Sequence, residues 1–477
     1  MDIPTQIPDL SSLSHKQKDA LIIQLFSIVK ELQKEVAELK EKLSKNSSNS
    51  SKPPSSDQFK KKNRSLRKKS GKKAGGQKGR KGCYLKMVEK PDAVEIHKVE
   101  KCSNCSQDIA GISATAYEKG QVFDIPKPKF IVTEHQAEIK NCPHCGEKNK
   151  AALPEGVYAG AQYGNNIKAQ AVYLNQYQLL PYARIQEYFQ DIFGQDISTG
   201  VLFQANENCY YGLEYAETTI SNQLITAPLL NTDETSLRVS GGLKWLHVYS
   251  TEKLTIYGLH QKRGQIAMED IGVLPNYIGS VMHDHWKPYF KYINFKHALC
   301  NSHHLRELKF IIEQYDQNWA KRMTICLLTI KSAVEKYKDK GSVFLPQWLI
   351  NQYEQRYQLI IKLGLNENPL PEQQPVKKGR MKKSKARNLV ERLKDYQAET
   401  LAFMYDFKIP FDNNQAERDL RMTKVKQKIS GLFRSELGAK MFCRIRGYIS
   451  TAKKHKLHVL DSISKVFEDA PYSFNPT

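Results

Sequence analysis

Leu229-Leu230-Asn231-Thr232-Asp233-Glu234-Thr235 runs from a strand-forming stretch into two acidic residues, and the meaning of that junction decides how the whole chain is read. Further strand-like stretches follow at Trp245–Ser250 and Leu254–Leu259. After a short helical stretch comes Ser280–Met282, running into Asp284, then a helical interval and Ala298–Cys300. Consecutive strands followed by alternating helix and strand predict a mixed α/β sheet. From about Glu307 to Tyr405 the pattern is almost wholly helical, broken by the Pro- and Lys-rich Pro369–Arg387. That block reads as an insertion between the sheet and the closing helices.

This element order is that of a ribonuclease-H-like domain, where the ends of the first and fourth strands are neighbours and a helix behind them delivers a third group. Asp233, Asp284 and Glu417 occupy those places. Glu417 lies in Asp412-Asn413-Asn414-Gln415-Ala416-Glu417-Arg418, at the start of an Arg-rich helix. A lone aspartate at a strand end is more often a turn former or a cap, so the shared context is what makes the three a candidate catalytic site. Close negative charges repel unless cations neutralise them, and oxygen donors with retained water suit Mg²⁺ or Mn²⁺ rather than zinc. Two such ions about 4 Å apart activate an attacking oxygen and stabilise the leaving one during in-line phosphoryl displacement. Glu234 and Asp412 are the nearest substitutes, but Glu234 is expected to point to the opposite side of its strand from Asp233, and Asp412 suits a helix cap. His283, His285, His303 and His304 flank the site and read first as surface or core histidines, otherwise as phosphate contacts or water-positioning groups.

Lys and Arg outnumber Asp and Glu by 73 to 50 in 477 residues, a net charge of +23 with a pI near 9.4. Such a balance favours a polyanionic partner, nucleic acid before an acidic membrane. No apolar run approaches the roughly 18 residues a membrane span needs, and the amino terminus lacks the pattern of a signal peptide, so a cytoplasmic protein is expected.

Ile22, Leu25, Val29, Leu32, Val36, Leu39 and Leu43 recur at alternating spacings of three and four, the heptad pattern of a short coiled coil and hence of a homo-oligomer. A helix packed on its own protein is the alternative. Ser, Asn and Pro dominate Asn46–Asp57, and Lys60–Lys81 holds twelve Lys or Arg without an acidic residue, so a linker and a basic arm are expected. Lys72, Lys73, Lys78, Arg80 and Lys81 of that arm suit sequence-independent phosphate contact. Arg418, Arg421, Lys424 and Arg434 are the corresponding candidates near Glu417, the first two on one helical face.

Cys102-x-x-Cys105 and Cys142-Pro-His-Cys145-Gly flank two strand-like runs, Tyr117–Ile125 and Phe130–Ile139. Knuckle, hairpin, knuckle is the order of a zinc ribbon holding one structural Zn²⁺, with His144 a bystander. In 164–222 the apolar spacing is helical; Gly194 ends one helix and Ser198 caps the next, which fits either a DNA-reading helix-turn-helix or ordinary helical packing.

Taken together, these residues resemble the insertion sequence 66 family of bacterial transposases. The resemblance rests on the leading coiled coil, Asn46-Ser47-Ser48 with Ser51-Lys52-Pro53-Pro54-Ser55-Ser56-Asp57, Gly75-Gly76-Gln77-Lys78-Gly79 and the four cysteines. It rests equally on Thr232-Asp233-Glu234-Thr235, Asp412-Asn413-Asn414 with Ala416-Glu417-Arg418, and Phe433-Arg434-Ser435-Glu436 before Gly438-Ala439. It implies an Asp-Asp-Glu triad on Asp233, Asp284 and Glu417, Mg²⁺ dependence, action on double-stranded DNA at terminal inverted repeats and at a target, and small accessory proteins encoded beside the transposase. Many relatives carry Asp-Gly and an aromatic at the second position, where this chain has Asp284-His285-Trp286 with Tyr289 downstream.

The expected architecture is multidomain α/β. A coiled-coil helix (1–45), a disordered linker and basic arm (46–85), a zinc ribbon (86–157) and a helical DNA-binding region (158–226) precede the ribonuclease-H-like core (227–306 and 406–477), which a helical insertion (307–405) divides. Metal-dependent hydrolysis at the element end would be followed by strand transfer. A structure-selective nuclease without joining, or an inactive DNA-binding derivative, are the other classes the sequence admits.

Overall fold

A computed structural model describes residues 11, 13–50, 57, 79, 84–158, 160–370 and 383–474. Lys72, Lys73, Lys78, Arg80 and Lys81 lie outside the described residues. The chain divides into two units, residues 61–134 and the remainder.

In the smaller unit, an isolated bridge joins Lys101 to Asp108 around the Cys102 knuckle, and the Gln121 side chain pairs with both backbone groups of Val88 at 2.7 Å. The strand-like runs expected at 117–125 and 130–139 form no strand except at Ile139, which belongs to the larger unit, and Val122, Ile125, Ile131 and Val132 are each more than 80% exposed. Alternating apolar residues make a strand only when a partner and a core receive them.

The larger unit opens with helix α1 (His15–Ser44), started by a capping box in which the Ser14 and Gln17 side chains bond each other's backbone N–H. None of its residues is buried; the heptad positions Ile22 to Leu43 are 46–85% exposed. Beyond it, where a linker is expected, Asn46–Ser50 forms a compact polar turn. Asn46 Oδ1 accepts from Ser48 N–H, Asn49 Oδ1 accepts from Asn46 N–H, and Ser50 Oγ donates to the Asn46 carbonyl. The Asn49 side chain is almost fully buried and donates to Glu313, while Lys309 donates to Ser48. Short polar side chains that satisfy their own backbone build such turns, which a reading of composition takes for disorder.

Strands β1 (Ile139–Asn141) and β2 (Lys148–Lys150) frame the second knuckle as an antiparallel pair. A helical block follows: α2 (Asn165–Val172) running into a π turn at Tyr173–Tyr177, α3 (Tyr182–Phe193), α4 (Thr199–Gly212) and α5 (Glu214–Ile225). As expected, Gly194 ends α3 in the left-handed region at φ 66°, and Ser198 Oγ caps α4 by accepting from Val201 N–H.

The sheet comprises β3 (Leu229–Val239), β4 (Gly242–Ser250), β5 (Thr255–His260), then, after α6 (Gln265–Ile271), β6 (Ser280–His283) and β7 (Lys296–Leu299). Its order is β5-β4-β3-β6-β7, antiparallel among β3, β4 and β5, with β6 and β7 parallel to β3. Ser240 and Gly241, at φ 49° and 79°, close the β3–β4 hairpin with the two positive φ values of a type I′ turn.

Helices α7 (Asn301–Tyr315), α8 (Asn318–Asp339), α9 (Gln347–Glu367), α10 (Lys385–Asp395) and, after the short α11 (Gln397–Thr400), α12 (Ala402–Tyr405) share one core with Met282 of β6, Ala298 of β7 and Cys300 just beyond it. The other core lies where β3, β4 and β5 meet α13 (Asn414–Ser430) and α14 (Glu436–Lys454), and α15 (Val459–Phe467) follows. Phe433, in the turn between α13 and α14, pairs with β3 beside Val239 and sends its ring into this second core. No helix among the described residues is long and apolar enough to cross a membrane.

α14 lies directly on β5, since a side chain at Gly447 would come within 3.1 Å of the Thr255 carbonyl. At the end of α14 the Lys454 ammonium is buried. It donates to Asp419 at 2.9 Å, to the carbonyls of Thr251 and Leu254, and to Thr255 Oγ1, thereby tying α13, α14 and β5 together. Replacing it with Met strands the Asp419 carboxylate in a buried position. Lys454→Met should destabilise the larger unit by about 3 kcal/mol in denaturant unfolding; an unchanged midpoint would show that the pair contributes nothing to stability.

Candidate active site

The register of three parallel strands builds the site. Asn231 pairs with Met282, so two residues further on Asp233 stands level with Asp284 across the β3–β6 boundary. His283 pairs with Leu299, so Asp284 in turn stands level with Cys300, whose N–H donates to the His283 carbonyl at 3.0 Å. Adjacent strands are about 4.8 Å apart. Asp233, midway along β3, and Asp284 and Cys300, just past the carboxyl ends of β6 and β7, therefore form a row across the sheet; β3 does not stop before Asp233 as expected but runs on to Val239 because β4 pairs with it over that length.

Glu417 arrives on the first turn of α13, and Asn413 sets its position. The Asn413 backbone N–H donates to Cys300 Sγ at 3.2 Å, and its side-chain amide donates to the Thr232 carbonyl at 2.8 Å, next to Asp233. Asp412 accepts from Asn414 N–H, as a cap would. The turn after β6, which lacks glycine, closes instead through Asp284 Oδ1 accepting from Trp286 N–H at 2.9 Å.

The charges interact strongly. Burial first, then the negative charges of Glu234, Asp284 and Glu417, hold the Asp233 carboxyl well above the usual carboxylate range. Burial and Asp284 likewise raise Glu234. Glu234 thus belongs electrostatically to the acidic cluster, although its oxygens are engaged elsewhere: Oε1 accepts from Arg263 Nε and Nη2, and Oε2 from the Tyr289 hydroxyl at 2.6 Å. Arg263 is itself stacked against Trp245 and Trp286.

Other cations stand beside the remaining carboxylates. Arg306 pairs with Glu417 at 3.2 Å. Burial pulls the Arg392 guanidinium down to about 10, with Asp284 opposing that shift, and Arg392 also pairs with Glu307. Lys424, expected at DNA, is half-buried instead, donating to the Ser236 carbonyl at 3.0 Å, while the Asp233 charge counters the effect of burial on it. Arg418, Arg421 and Arg434 are exposed. Neither Arg392 nor Arg306 announces itself in the sequence, because each reaches the site from the helical block by tertiary packing.

The flanking histidines are mostly interior. His283 and His304 are buried, and desolvation lowers both, His283 to about 3. His283 stacks on Tyr289 and hydrogen-bonds His297 at 2.9 Å. Burial takes His285 to about 3, where it meets Tyr396 edge-on. His303 is lowered to about 4 by burial and Arg306, against the pull of Asp284.

The two cysteine knuckles, each considered alone, share one backbone form. Cys102 N–H donates to the Gln107 carbonyl and Ser106 N–H to that of Cys102; Cys142 N–H donates to Glu147 and Gly146 N–H to Cys142. Backbone N–H groups of Cys105 and Asn104 lower the Cys102 thiol, and those of Cys145 and His144 lower Cys142. Thiols held in this way are ready to lose their protons to a metal.

Residues 160–441 match the family model described as Transposase IS66 family, and residues 100–146, which include all four knuckle cysteines, match the zinc-finger binding domain of transposase IS66. Residues 5–86 match a family of unknown function. No curated protein matches the chain.

Unfolded, Asp233 ionises near pH ~3.9, whereas the folded protein retains that proton to higher pH. Stability contributed here is therefore lost as pH rises from the unfolded pKa through the raised folded one. In EDTA at neutral pH, Asp233→Asn should melt several degrees above wild type. Mg²⁺ should raise the wild-type melting temperature and leave the variant nearly unmoved; identical behaviour of the two proteins would mean that no divalent ion relieves this carboxylate.

Proposed function

Because this chain belongs to the IS66 family of transposases, we propose that it binds terminal inverted repeats of a mobile element in the bacterial cytoplasm, cuts DNA there and joins the ends to a target. The observation that carries the reading is the clustering of the carboxylates, with the β3–β6 register bringing Asp233 level with Asp284 and both Asp284 and Glu417 close enough to act on the Asp233 charge. The sheet order and these carboxylates support a ribonuclease-H-like catalytic core.

The donor set fits a hard cation. Oxygen ligands crowded until one carboxyl resists ionisation are relieved by Mg²⁺ or Mn²⁺. Bound by Asp233, Asp284 and Glu417, a pair of such ions supplies the Lewis acidity that in-line phosphoryl displacement needs at its attacking and leaving oxygens. Asn413 holds Glu417 against the Asp233 strand, and the Asp284 turn is braced by Trp286 N–H. Arg306 leaves Glu417 free for metal if it turns toward a phosphate. Exposed Arg418 and Arg421, with Arg434, are the backbone contacts of this reading. Cys102, Cys105, Cys142 and Cys145 are the donors proposed for one structural Zn²⁺, supported by the zinc-finger match.

The exposed heptad of α1 supports self-association through a coiled coil. Light scattering should give a multiple of the 54.7 kDa chain mass that drops when residues 1–45 are deleted; an unchanged oligomer would refute the zipper.

Cleavage and joining of a labelled duplex carrying the element's own ends tests the chemistry. Asp233→Ala, Asp284→Ala and Glu417→Ala should each lower the rate on the order of 100-fold or more while DNA binding persists. Cleavage without joined product would identify a plain nuclease, and activity surviving one substitution would remove that residue from the triad.

A further inference from the structure

Cys300 is a soft donor in a row of hard ones. It stands level with Asp284 just past the end of β7 and at the cap position of α7, whose first turn carries His303. A sulfur atom of Cys300, a ring nitrogen of His303 and a carboxylate oxygen of Glu417 all lie within 4.8 Å of one another. His303 Nδ1 is buried without a hydrogen-bond partner among the described residues. Arg306 engages Glu417 from the same helix as His303.

The structure assigns to these residues a second kind of metal site: we propose that Cys300, His303 and Glu417 bind a thiophilic divalent ion, Zn²⁺, in competition with the oxygen-lined centre for Glu417. Thiolate, imidazole and carboxylate form a donor set typical of zinc, which takes three protein ligands and leaves one position open. Mg²⁺ has no use for the sulfur or the ring nitrogen. Ligands of a tetrahedral zinc lie roughly 3.3–3.8 Å apart, so the three groups need to close by about 1 Å. Half-buried His303 and Glu417 give the ion its approach, and Cys300 releases its thiol proton to solvent on ligation.

Glu417 has one position on α13 and cannot serve both ions fully. With Zn²⁺ held by Cys300 and His303, Glu417 is drawn from Asp233 and Asp284, and a Mg²⁺-dependent reaction stops. Zinc thus acts as an inhibitor at the catalytic edge, separate from any structural zinc at the cysteine knuckles. The inhibitory consequence rests on the function proposed above; the binding site itself does not.

The test uses the full-length protein equilibrated in a zinc buffer, with bound zinc counted by elemental analysis. Wild type should hold one more zinc per chain than either Cys300→Ser or His303→Asn, with folding of both variants checked by circular dichroism. A Co²⁺-loaded sample should show a thiolate-to-cobalt band in the wild-type-minus-C300S difference spectrum. Equal zinc in all three proteins, or a flat difference spectrum, overturns the site. In DNA cleavage, each protein being compared with its own rate in Mg²⁺ alone, C300S should need at least about tenfold more Zn²⁺ for half-inhibition; equal sensitivity overturns the competition for Glu417. Wild type that binds the extra zinc but never cleaves in Mg²⁺ would sink the catalytic reading while upholding this site.

Discussion

Like charges cannot be gathered in a buried place without an answering positive charge, and the middle of this protein is organised around that requirement. The negative charges of Glu234, Asp284 and Glu417 raise the Asp233 carboxyl, and that of Asp284 raises Glu234. Each has a cationic neighbour: Lys424 toward Asp233, Arg263 on Glu234, Arg392 toward Asp284, Arg306 on Glu417. These four come from α13, the loop after β5, α10 and α7, so the elements around the sheet all converge on the same electrostatic problem. Glu234 is answered fully, by a two-nitrogen contact from Arg263 and the Tyr289 hydroxyl. Asp233 is not, and its carboxyl resists ionisation accordingly.

The helical block between sheet and closing helices is part of this arrangement. It shares a core with β6 and β7, and through Arg392, Tyr396 and Arg306 it touches the turn that carries Asp284 and the carboxylate of Glu417. Its first helix, α7, also receives the Asn-rich turn that follows α1, at Lys309 and Glu313. One helix therefore bears groups for the acidic cluster on its first turns and for the amino-terminal segment further along.

Asn413 shows how little polar chemistry suffices to align such a site. A single residue bonds Cys300 Sγ with its backbone and the Thr232 carbonyl with its side chain, so β3, β7 and the start of α13 are held at one point. Behind that helix, Lys454 pairs with Asp419 and satisfies three further oxygens, anchoring α13 to α14 and β5. Glu417 is thereby fixed from both ends of its neighbourhood.

Local chemistry was legible in the sequence. The strand end before Asp284, the helix beginning near Glu417, the Gly194 stop and Ser198 cap, and the exposed heptad of α1 all follow from residue periodicity and capping, whereas the strand carrying Asp233 runs on to Val239, beyond the end expected for it. These depend on residues within a turn or two of each other. Composition misread Asn46–Ser50, where serine and asparagine satisfy their own backbone, and alternation misread 117–125 and most of 130–139, where only Ile139 enters a strand. Only tertiary structure could bring Arg263, Arg306 and Arg392 to the acidic cluster, align Asp233 with Asp284 and Cys300, and set His303 beside Glu417. Strand register and helix packing bring together residues far apart in the chain, as Arg306 and Glu417 at a separation of 111 show, and no spacing along the chain encodes the distance between them.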